Sequence, residues 1–147
     1  MKASLMGWLF LPLACSLAAA DIEYISSKTL PALGPYTPAT VTGNLVFTSG
    51  QIAFDATVGE VVGDNITAQT HQALKNLKAV LEASGASLEN TLRLTVYLKN
   101  PADFPAMNKV YAEYFPGNKP ARTTVPGVEW GPGILIEVDA IAVRNPN

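Results

Sequence analysis

The spacing of apolar and polar residues along the chain predicts both strands and helices. Apolar and polar side chains alternate strictly from 92 to 98, which is typical of a strand buried on one face only. Residues 134–143 form a β-branched apolar run, in which Glu137 and Asp139 share one face. Further strands are predicted at 21–26, 45–54 and 120–125, and the glycine inside the 45–54 strand suggests a bulge or a close approach of the backbone.

Two stretches repeat their apolar residues at helical spacing, from 66 to 83 and from 103 to 115. Asp64 or Asn65 can cap the start of the first helix, and Gly85 can close its end. The elements follow the order strand, strand, helix, strand, helix, strand, strand. This order predicts an α+β sandwich of two layers, with two helices on one face of a mixed β-sheet.

The other face of the predicted sheet has no helix to cover it. Phe47, Val96, Tyr97 and the last strand supply more apolar surface than two helices can bury. A large exposed apolar face marks an interaction site, most simply with further copies of the same chain. The pattern therefore predicts self-association, but it does not indicate the number of copies.

The first twenty residues have the layout of a secretory signal peptide. Lys2 supplies a positive start, an apolar run follows, and three alanines precede Asp21 as a cleavage site. The apolar run is shorter than a membrane span. We therefore expect a signal peptide at 1–20 and a single mature domain at 21–147, which is secreted or lies in the secretory pathway or periplasm and is not associated with a membrane after cleavage.

Composition narrows the classes of function. The chain has 10 Lys and Arg against 12 Asp and Glu, and removal of Lys2 leaves 9 against 12, a net charge of −3. No basic patch is visible, so we expect no nucleic-acid partner. Cleavage also removes Cys15, which is the one cysteine. The mature chain then has no disulfide, so its stability must come from its core or from association.

Glu137 is the first candidate for a functional residue, because burying an unpaired carboxylate in a strand lowers the stability of the fold unless the group has a partner or a functional role. Arg122 is the nearest candidate partner, across a short Gly/Pro-rich loop. Two interpretations stay open, an ion pair that joins two strands and a ligand-binding site. Tyr36 lies in a stiff loop, where it can line a pocket or pack against the core edge. The single histidine, His71, has no second ligand nearby and is assigned no role.

A set of stretches spread over nearly the whole mature chain carries a family resemblance. The main ones are 121–125 (Ala-Arg-Thr-Thr-Val) and 136–142 (Ile-Glu-Val-Asp-Ala-Ile-Ala), joined by 32–36, 43–51, 69–81, 95–98 and 108–111. Together they resemble the RidA/YjgF family of enamine and imine deaminases. The resemblance implies a chorismate-mutase-like α+β fold, assembled as a homotrimer with pockets between subunits. It also implies hydrolysis of 2-imino acids or their enamine tautomers to 2-oxo acids and ammonia, without a cofactor or metal.

The resemblance further implies roles for six residues. The family's arginine falls on Arg122, whose planar fork suits a substrate carboxylate. Its glutamate falls on Glu137, which would orient a water for attack on the imine carbon. The positions expected to bind substrate are Tyr36, Ser49, Asn108 and Thr124.

The chain also departs from the family pattern. Thr124 stands where the family often has cysteine, Pro38 stands where glutamine is common, and the 126–133 loop lacks the usual leucine-proline turn and carries Trp130. The changes in the 126–133 loop and the expected signal peptide motivate a second hypothesis, a secreted small-molecule-binding or interaction protein that has lost catalysis. A third hypothesis is RNA cleavage, against which the acidic charge and the single histidine argue. Asn65-Ile66-Thr67 is in addition a glycosylation acceptor in a eukaryotic host.

Overall fold

A computed structural model describes residues 21–26, 31–129 and 131–145. The expected signal peptide at 1–20 and Trp130 lie outside the described residues. The strands are β1 Ile22–Ile25, β2 Ala39–Thr42, β3 Leu45–Thr48, β4 Gln51–Ile52, β5 Phe54–Asp55, β6 Glu60–Val61, β7 Thr91–Leu98, β8 Ala121–Pro126 and β9 Ile136–Val143, and the helices are α1 Ile66–Ala83 and α2 Phe104–Tyr114.

One mixed sheet organises the domain. Its strand order is β1-β2-β3-β9-β7-β8, with β4 continuing beside β9, and β5 and β6 form a separate small hairpin. The β7–β8 pair is parallel, whereas the other pairs are antiparallel. Helix α2 makes the crossover that a parallel pair requires. The predicted α+β architecture, with two helices packed on a mixed sheet, is confirmed.

Helix α1 spans the predicted range because its ends are closed by local hydrogen bonds. The side chain of Asn65 accepts a hydrogen bond from the N–H of Ala68 at 3.0 Å, which satisfies a donor that the first helical turn leaves free. At the other end, the N–H of Ala86 donates to the carbonyl of Leu81, across Gly85 with its φ of +77°. Only glycine adopts that backbone conformation easily, so the helix stops there.

The core lies between α1 and the centre of the sheet. Leu74, Leu77 and Leu81 of α1 are fully buried, as are Leu94 of β7 and Val138 of β9. Each such aliphatic side chain contributes about 1.5–3 kcal/mol when it is removed from water. A hydrogen bond also joins the two helices: His71 Nδ1 on α1 and the hydroxyl of Tyr114 on α2 are 3.2 Å apart. His71 is thus a packing residue between the helices, as its isolation in sequence indicated.

The face of the sheet away from the helices is open. It exposes Phe47 of β3, and Tyr24 of the edge strand remains 70% exposed. Val96 was expected to contribute to the apolar surface left uncovered by the helices, but it is fully buried on the helix side. It is paired in register with Val138, whose side chain lies on that same side. The open face is therefore less apolar than expected, although it stays uncovered in a single chain.

The structure corrects two points of local organisation. Strand β2 was not predicted, because it follows the proline-rich loop directly and is only four residues long. The predicted 45–54 strand is divided into β3 and β4 by Ser49 and Gly50, as an internal glycine suggested. No helix in the described part of the chain is long and apolar enough to cross a membrane.

Candidate active site

Glu137 lies in the middle of β9 with its side chain opposite to those of the buried Ile136 and Val138. Its neighbours across the strands are Tyr97 on β7 and Ile52 on β4. Within the described ranges, the carboxyl group has no hydrogen-bond or ion-pair partner. Burial raises the pKa of Glu137 above its usual value, and the charge of nearby Asp139 adds to that rise. An unpartnered carboxylate of raised pKa is suited to accept a proton.

Gly50 makes room for this carboxylate. A Cβ on Gly50 would lie 1.9 Å from Oε1 of Glu137, which is far inside contact distance. The φ of Gly50 is not in the left-handed region, so the position needs glycine for space and not for its backbone freedom. The division between β3 and β4 thus serves to bring the backbone against the carboxyl group.

Ser49 holds the proline-rich loop beside Glu137. Its hydroxyl donates to the carbonyl of Thr37 at 2.6 Å, and its N–H donates to the carbonyl of Pro38 at 2.9 Å. Tyr36, on the same loop, accepts a hydrogen bond at its hydroxyl from the N–H of Leu33 at 3.2 Å. These backbone contacts hold Tyr36 beside Ser49, Gly50 and Glu137.

Tyr36, Ser49, Gly50 and Glu137 together enclose a small open pocket of about 280 Å³. Three of the six residues proposed for the site from sequence are therefore gathered by one chain. Tyr36 is half exposed at the rim of this pocket, which agrees with the prediction that it lines a pocket rather than packing against the core edge. Because the Ser49 hydroxyl already donates to Thr37, only its lone pairs are free to meet a ligand.

Arg122 lies on β8, on the helix side of the sheet. Its guanidinium carbon is 4.5 Å from the ring centroid of Tyr111 and 5.7 Å from that of Phe104, both on α2. A cation held over aromatic faces is attracted by their electron-rich surface. In the part of the chain that the structure describes, the guanidinium has no hydrogen-bond or ion-pair partner. Its donors are therefore free to bind an anion.

The aromatic contact is itself firmly built. Tyr111 is buried, and its ring stacks on Phe115 at a centroid distance of 4.6 Å. Burial raises the pKa of Tyr111, and the Arg122 charge opposes that rise. Its hydroxyl has no hydrogen-bond partner among the described residues. Asn108 belongs to the same stripe of α2, since it lies four residues after Phe104 and three before Tyr111.

Thr124 completes this second group, because it shares the face of β8 with Arg122 two residues away. The structure thus divides the six proposed residues into two sets of three. One set is Tyr36, Ser49 and Glu137, and the other is Asn108, Arg122 and Thr124.

The interpretation of Arg122 and Glu137 as an ion pair within one chain is wrong. Strand β7 lies between β8 and β9, where Arg122 is in register with Leu94 and Glu137 with Tyr97. Successive residues of a strand point to opposite faces, so the odd-numbered offset between Leu94 and Tyr97 separates the two side chains across the sheet. The loop between β8 and β9 is short, yet it joins strands that are not neighbours.

Three contacts of the site were missed in the sequence. Phe104 and Tyr111 are seven residues apart on a helix whose apolar stripe was recognised, but nothing showed that the stripe meets Arg122. Asp139 was noted only as a neighbour of Glu137 on the same face, although its charge helps to raise the Glu137 pKa. Within 21–26, 31–129 and 131–145, no three His, Cys, Asp or Glu residues form a candidate metal site.

Comparisons with known proteins agree with this architecture. The family model described as endoribonuclease L-PSP matches residues 26–144. A RutC family protein of Pyrococcus horikoshii is 46% identical over 123 residues, which cover 83% of this chain and 98% of that protein. The rat 2-iminobutanoate/2-iminopropanoate deaminase is 37% identical over 82% of this chain and 88% of its own length.

Solved structures show the same relationship. The YjgF gene product of E. coli matches with a TM-score of 0.77 at 35% identity, over 84% of this chain and 99% of that one. E. coli TdcF with bound serine matches with a TM-score of 0.77 at 32% identity, over the same shares of the two chains. The fold is that of small α+β proteins in which two helices pack on one face of a mixed β-sheet. The chain belongs to the RidA/YjgF family, as the sequence motifs indicated.

Proposed function

We propose that the protein is a 2-imino acid deaminase, which hydrolyses reactive imines and their enamine tautomers to 2-oxo acids and ammonia. The observation that carries the proposal is Glu137, a half-buried carboxylate of raised pKa and without a partner in the described ranges, at the wall of an open pocket. Membership of a family that includes imine deaminases supports it. A site that uses burial to raise a carboxyl pKa is typical of acid–base chemistry.

Each step can be assigned to a residue of this chain. Arg122 binds the substrate carboxylate through its free donors, and the lone pairs of Ser49 accept the N–H of the protonated imine. Glu137 accepts a proton from a water as the water oxygen bonds to C2 and the C=N double bond becomes single. Glu137 then returns that proton to the nitrogen of the resulting carbinolamine. The C–N bond breaks, ammonia leaves, the hydroxyl loses its proton to solvent, and the 2-oxo acid remains.

Arg122 and Thr124 lie on the opposite face of the sheet from Glu137, so a complete site of this kind takes the two sets of residues from two copies of the chain. The open sheet face supports association, since it exposes Phe47 and Tyr24. The number three rests on the family resemblance. In a ring of three copies, Arg122, Asn108 and Thr124 of one copy would face Tyr36, Ser49 and Glu137 of the next.

The test is hydrolysis of 2-iminobutanoate generated in the same vessel, followed by formation of 2-oxobutanoate and ammonia. We expect acceleration by the protein and its near-complete loss in Glu137→Gln, which keeps the shape of the side chain but cannot take up the proton. A rate no faster than buffer would overturn the proposal. If 2-oxobutanoate still bound under those conditions, the protein would be a small-molecule binder on this scaffold.

RNA cleavage is the other activity that the description of the family model suggests. The site contains a carboxylate and no histidine, because His71 packs between the two helices. The net charge of the chain is also negative, which weakens contact with a phosphate backbone. A Glu137→Gln protein that degraded RNA as fast as the unmodified chain, without contaminating nuclease, would place that activity elsewhere on the molecule.

A further inference from the structure

Glu137 borders a second cavity besides the small pocket. This cavity has a volume of about 290 Å³ and shares Tyr36, Gly50 and Glu137 with the pocket, so the two spaces adjoin at the carboxyl group. It extends away from Ser49 towards helix α1. Apart from the shared residues, its walls are mainly apolar, formed by Leu33, Pro38, Ile52, Phe54 and Ile134.

The side-chain amides that line this cavity are largely engaged in hydrogen bonds within the chain. Asn76 on α1 donates from Nδ2 to the carbonyls of Ile52 at 2.9 Å and Phe54 at 2.7 Å. Its Oδ1 accepts a hydrogen bond from Gln72 at 2.9 Å. Gln51 likewise donates from its side chain to the carbonyl of Ser49 at 3.1 Å. A ligand that entered the cavity would find mainly apolar walls, the Asn76 amide with both of its N–H donors in use, and one remaining N–H of Gln51.

We propose that this cavity receives the side chain of the substrate, and that the preferred substrates are 2-imino acids with apolar side chains of about four carbons or more. This inference rests on the proposed deaminase function, because it places C2 of the substrate beside Glu137. Each buried methylene then increases kcat/KM about fourfold, which corresponds to about 0.8 kcal/mol. A leucine-derived imine should therefore exceed the alanine-derived imine by tenfold or more.

The same walls discriminate against polar side chains. A carboxylate carried into the cavity would lose most of its water and gain only neutral donors, because none of the described residues that line it carries a positive charge, and it would be repelled by Glu137 at the entrance. We expect aspartate-derived and glutamate-derived imines to react more slowly than the alanine-derived imine. Burying an unpaired charge costs more than one buried methylene contributes, so the cavity should reject charge more strongly than it selects chain length.

The experiment compares kcat/KM for imines that an amino-acid oxidase generates from alanine, leucine and aspartate, each corrected for its rate in buffer. The unmodified protein alone decides the order, which should be leucine above alanine above aspartate. Ala32→Leu, which fills the cavity from its loop wall, should reduce the ratio of leucine to alanine rates at least threefold. Ala112→Leu adds the same carbons at an exposed position of α2 and should leave the ratio unchanged.

The outcomes separate the inference from the function on which it rests. If no imine reacts faster than in buffer, the deaminase proposal fails and the inference fails with it. If the alanine-derived imine reacts as fast as the leucine-derived one or faster, the deaminase stands and the side-chain cavity is refuted. An unchanged ratio in a folded Ala32→Leu protein would also refute the cavity, because the substrate would then lie elsewhere.

Discussion

Gly50 and Glu137 are in such close contact that no other residue can replace the glycine without moving the carboxyl group. Oε1 of Glu137 lies 1.9 Å from the place of a Cβ on Gly50, and its Cδ lies 2.3 Å from that place. The carboxyl group therefore rests directly against the backbone between β3 and β4. This contact defines one wall of the pocket and limits the rotamers that Glu137 can adopt.

Replacing Gly50 with alanine should displace Glu137 and lower activity. We expect kcat/KM for 2-iminobutanoate to fall by about tenfold to a hundredfold, because misplacing a catalytic group by about 1 Å costs that much. The control is Gly117→Ala, where an added Cβ meets no atom within 4 Å and φ is not in the left-handed region. Equal activity in the two variants would show that the position of Glu137 does not matter for the reaction.

If Glu137 acts as proposed, its raised pKa should set how activity responds to acid. Glu137 must be ionised to accept a proton, so activity should fall as pH drops through its raised pKa, above the range of an ordinary glutamate. Asp139→Asn removes the repulsion that is the second cause of the rise, so the acid limb of kcat/KM should move to lower pH. It should not reach the usual value, because burial is the larger cause and remains.

The linked effect on stability has the opposite direction. A carboxyl group whose folded pKa is raised above its unfolded value stabilises the folded chain less as pH rises between the two values. Glu137→Gln removes that cost, so its melting temperature at neutral pH should equal or exceed that of the unmodified protein, while activity is lost. If Asp139→Asn is folded but the acid limb of its kcat/KM profile does not move, the role given to Glu137 is contradicted.

Local structure could be predicted from the sequence because its signals are local. The helix at 66–83 has the predicted bounds, since apolar spacing, the Asn65 cap and Gly85 all lie within the segment. The alternation in β9 correctly placed Glu137 and Asp139 on one face. The internal glycine of the 45–54 stretch correctly suggested a close approach of the backbone, although the atom that approaches could not be named.

The relation between Arg122 and Glu137 could not be predicted, because strand order depends on contacts far apart in sequence. Strand β7 inserts between β8 and β9, and the register along it, with Arg122 beside Leu94 and Glu137 beside Tyr97, places the two side chains on opposite faces. Family motifs identified both residues without showing this separation. The residues that hold Arg122 were missed for the same reason, since Tyr111 meets it only through the packing of α2 on the sheet.

We also propose that the chain follows the secretory route, with residues 1–20 removed. N-terminal sequencing of exported protein should then begin at or near Asp21, which precedes β1 by one residue. Expressed through a eukaryotic secretory pathway, the chain should carry a glycan on the exposed Asn65. Asn65→Asp keeps the capping oxygen and removes the acceptor, so it should lose the mass of the glycan without losing stability. Exported protein that still starts at Met1 would contradict the route.

Arg122→Lys tests whether the arginine binds substrate through its planar fork. Lysine keeps the charge but cannot form two parallel hydrogen bonds to a carboxylate. We expect kcat/KM to fall roughly a hundredfold, corresponding to about 2–4 kcal/mol of transition-state binding, with little change in melting temperature.

Arg144 offers a matched comparison, because it is a structural arginine. Its Nη2 is 2.5 Å from Oε2 of Glu23 on β1, and its Nε donates to the carbonyl of Ser84 at 2.9 Å. Arg144→Lys should lower the melting temperature and leave the specific activity of the folded protein unchanged. The same pattern in Arg122→Lys would show that Arg122 is structural and would end its assignment to the substrate.

A final prediction concerns assembly, because one chain holds Arg122 and Glu137 on opposite faces of its sheet. If each site takes Arg122 from one copy and Glu137 from the next, two inactive variants can complement each other. Arg122→Ala and Glu137→Gln chains, unfolded and refolded together in equal amounts, should regain about one quarter of the unmodified activity, since a quarter of random pairings join two intact residues. The variants refolded separately and then assayed as a mixture without exchange are the control. Sedimentation should show a trimer throughout, and a stable monomer at micromolar concentration or an inactive co-refolded mixture would refute the shared site.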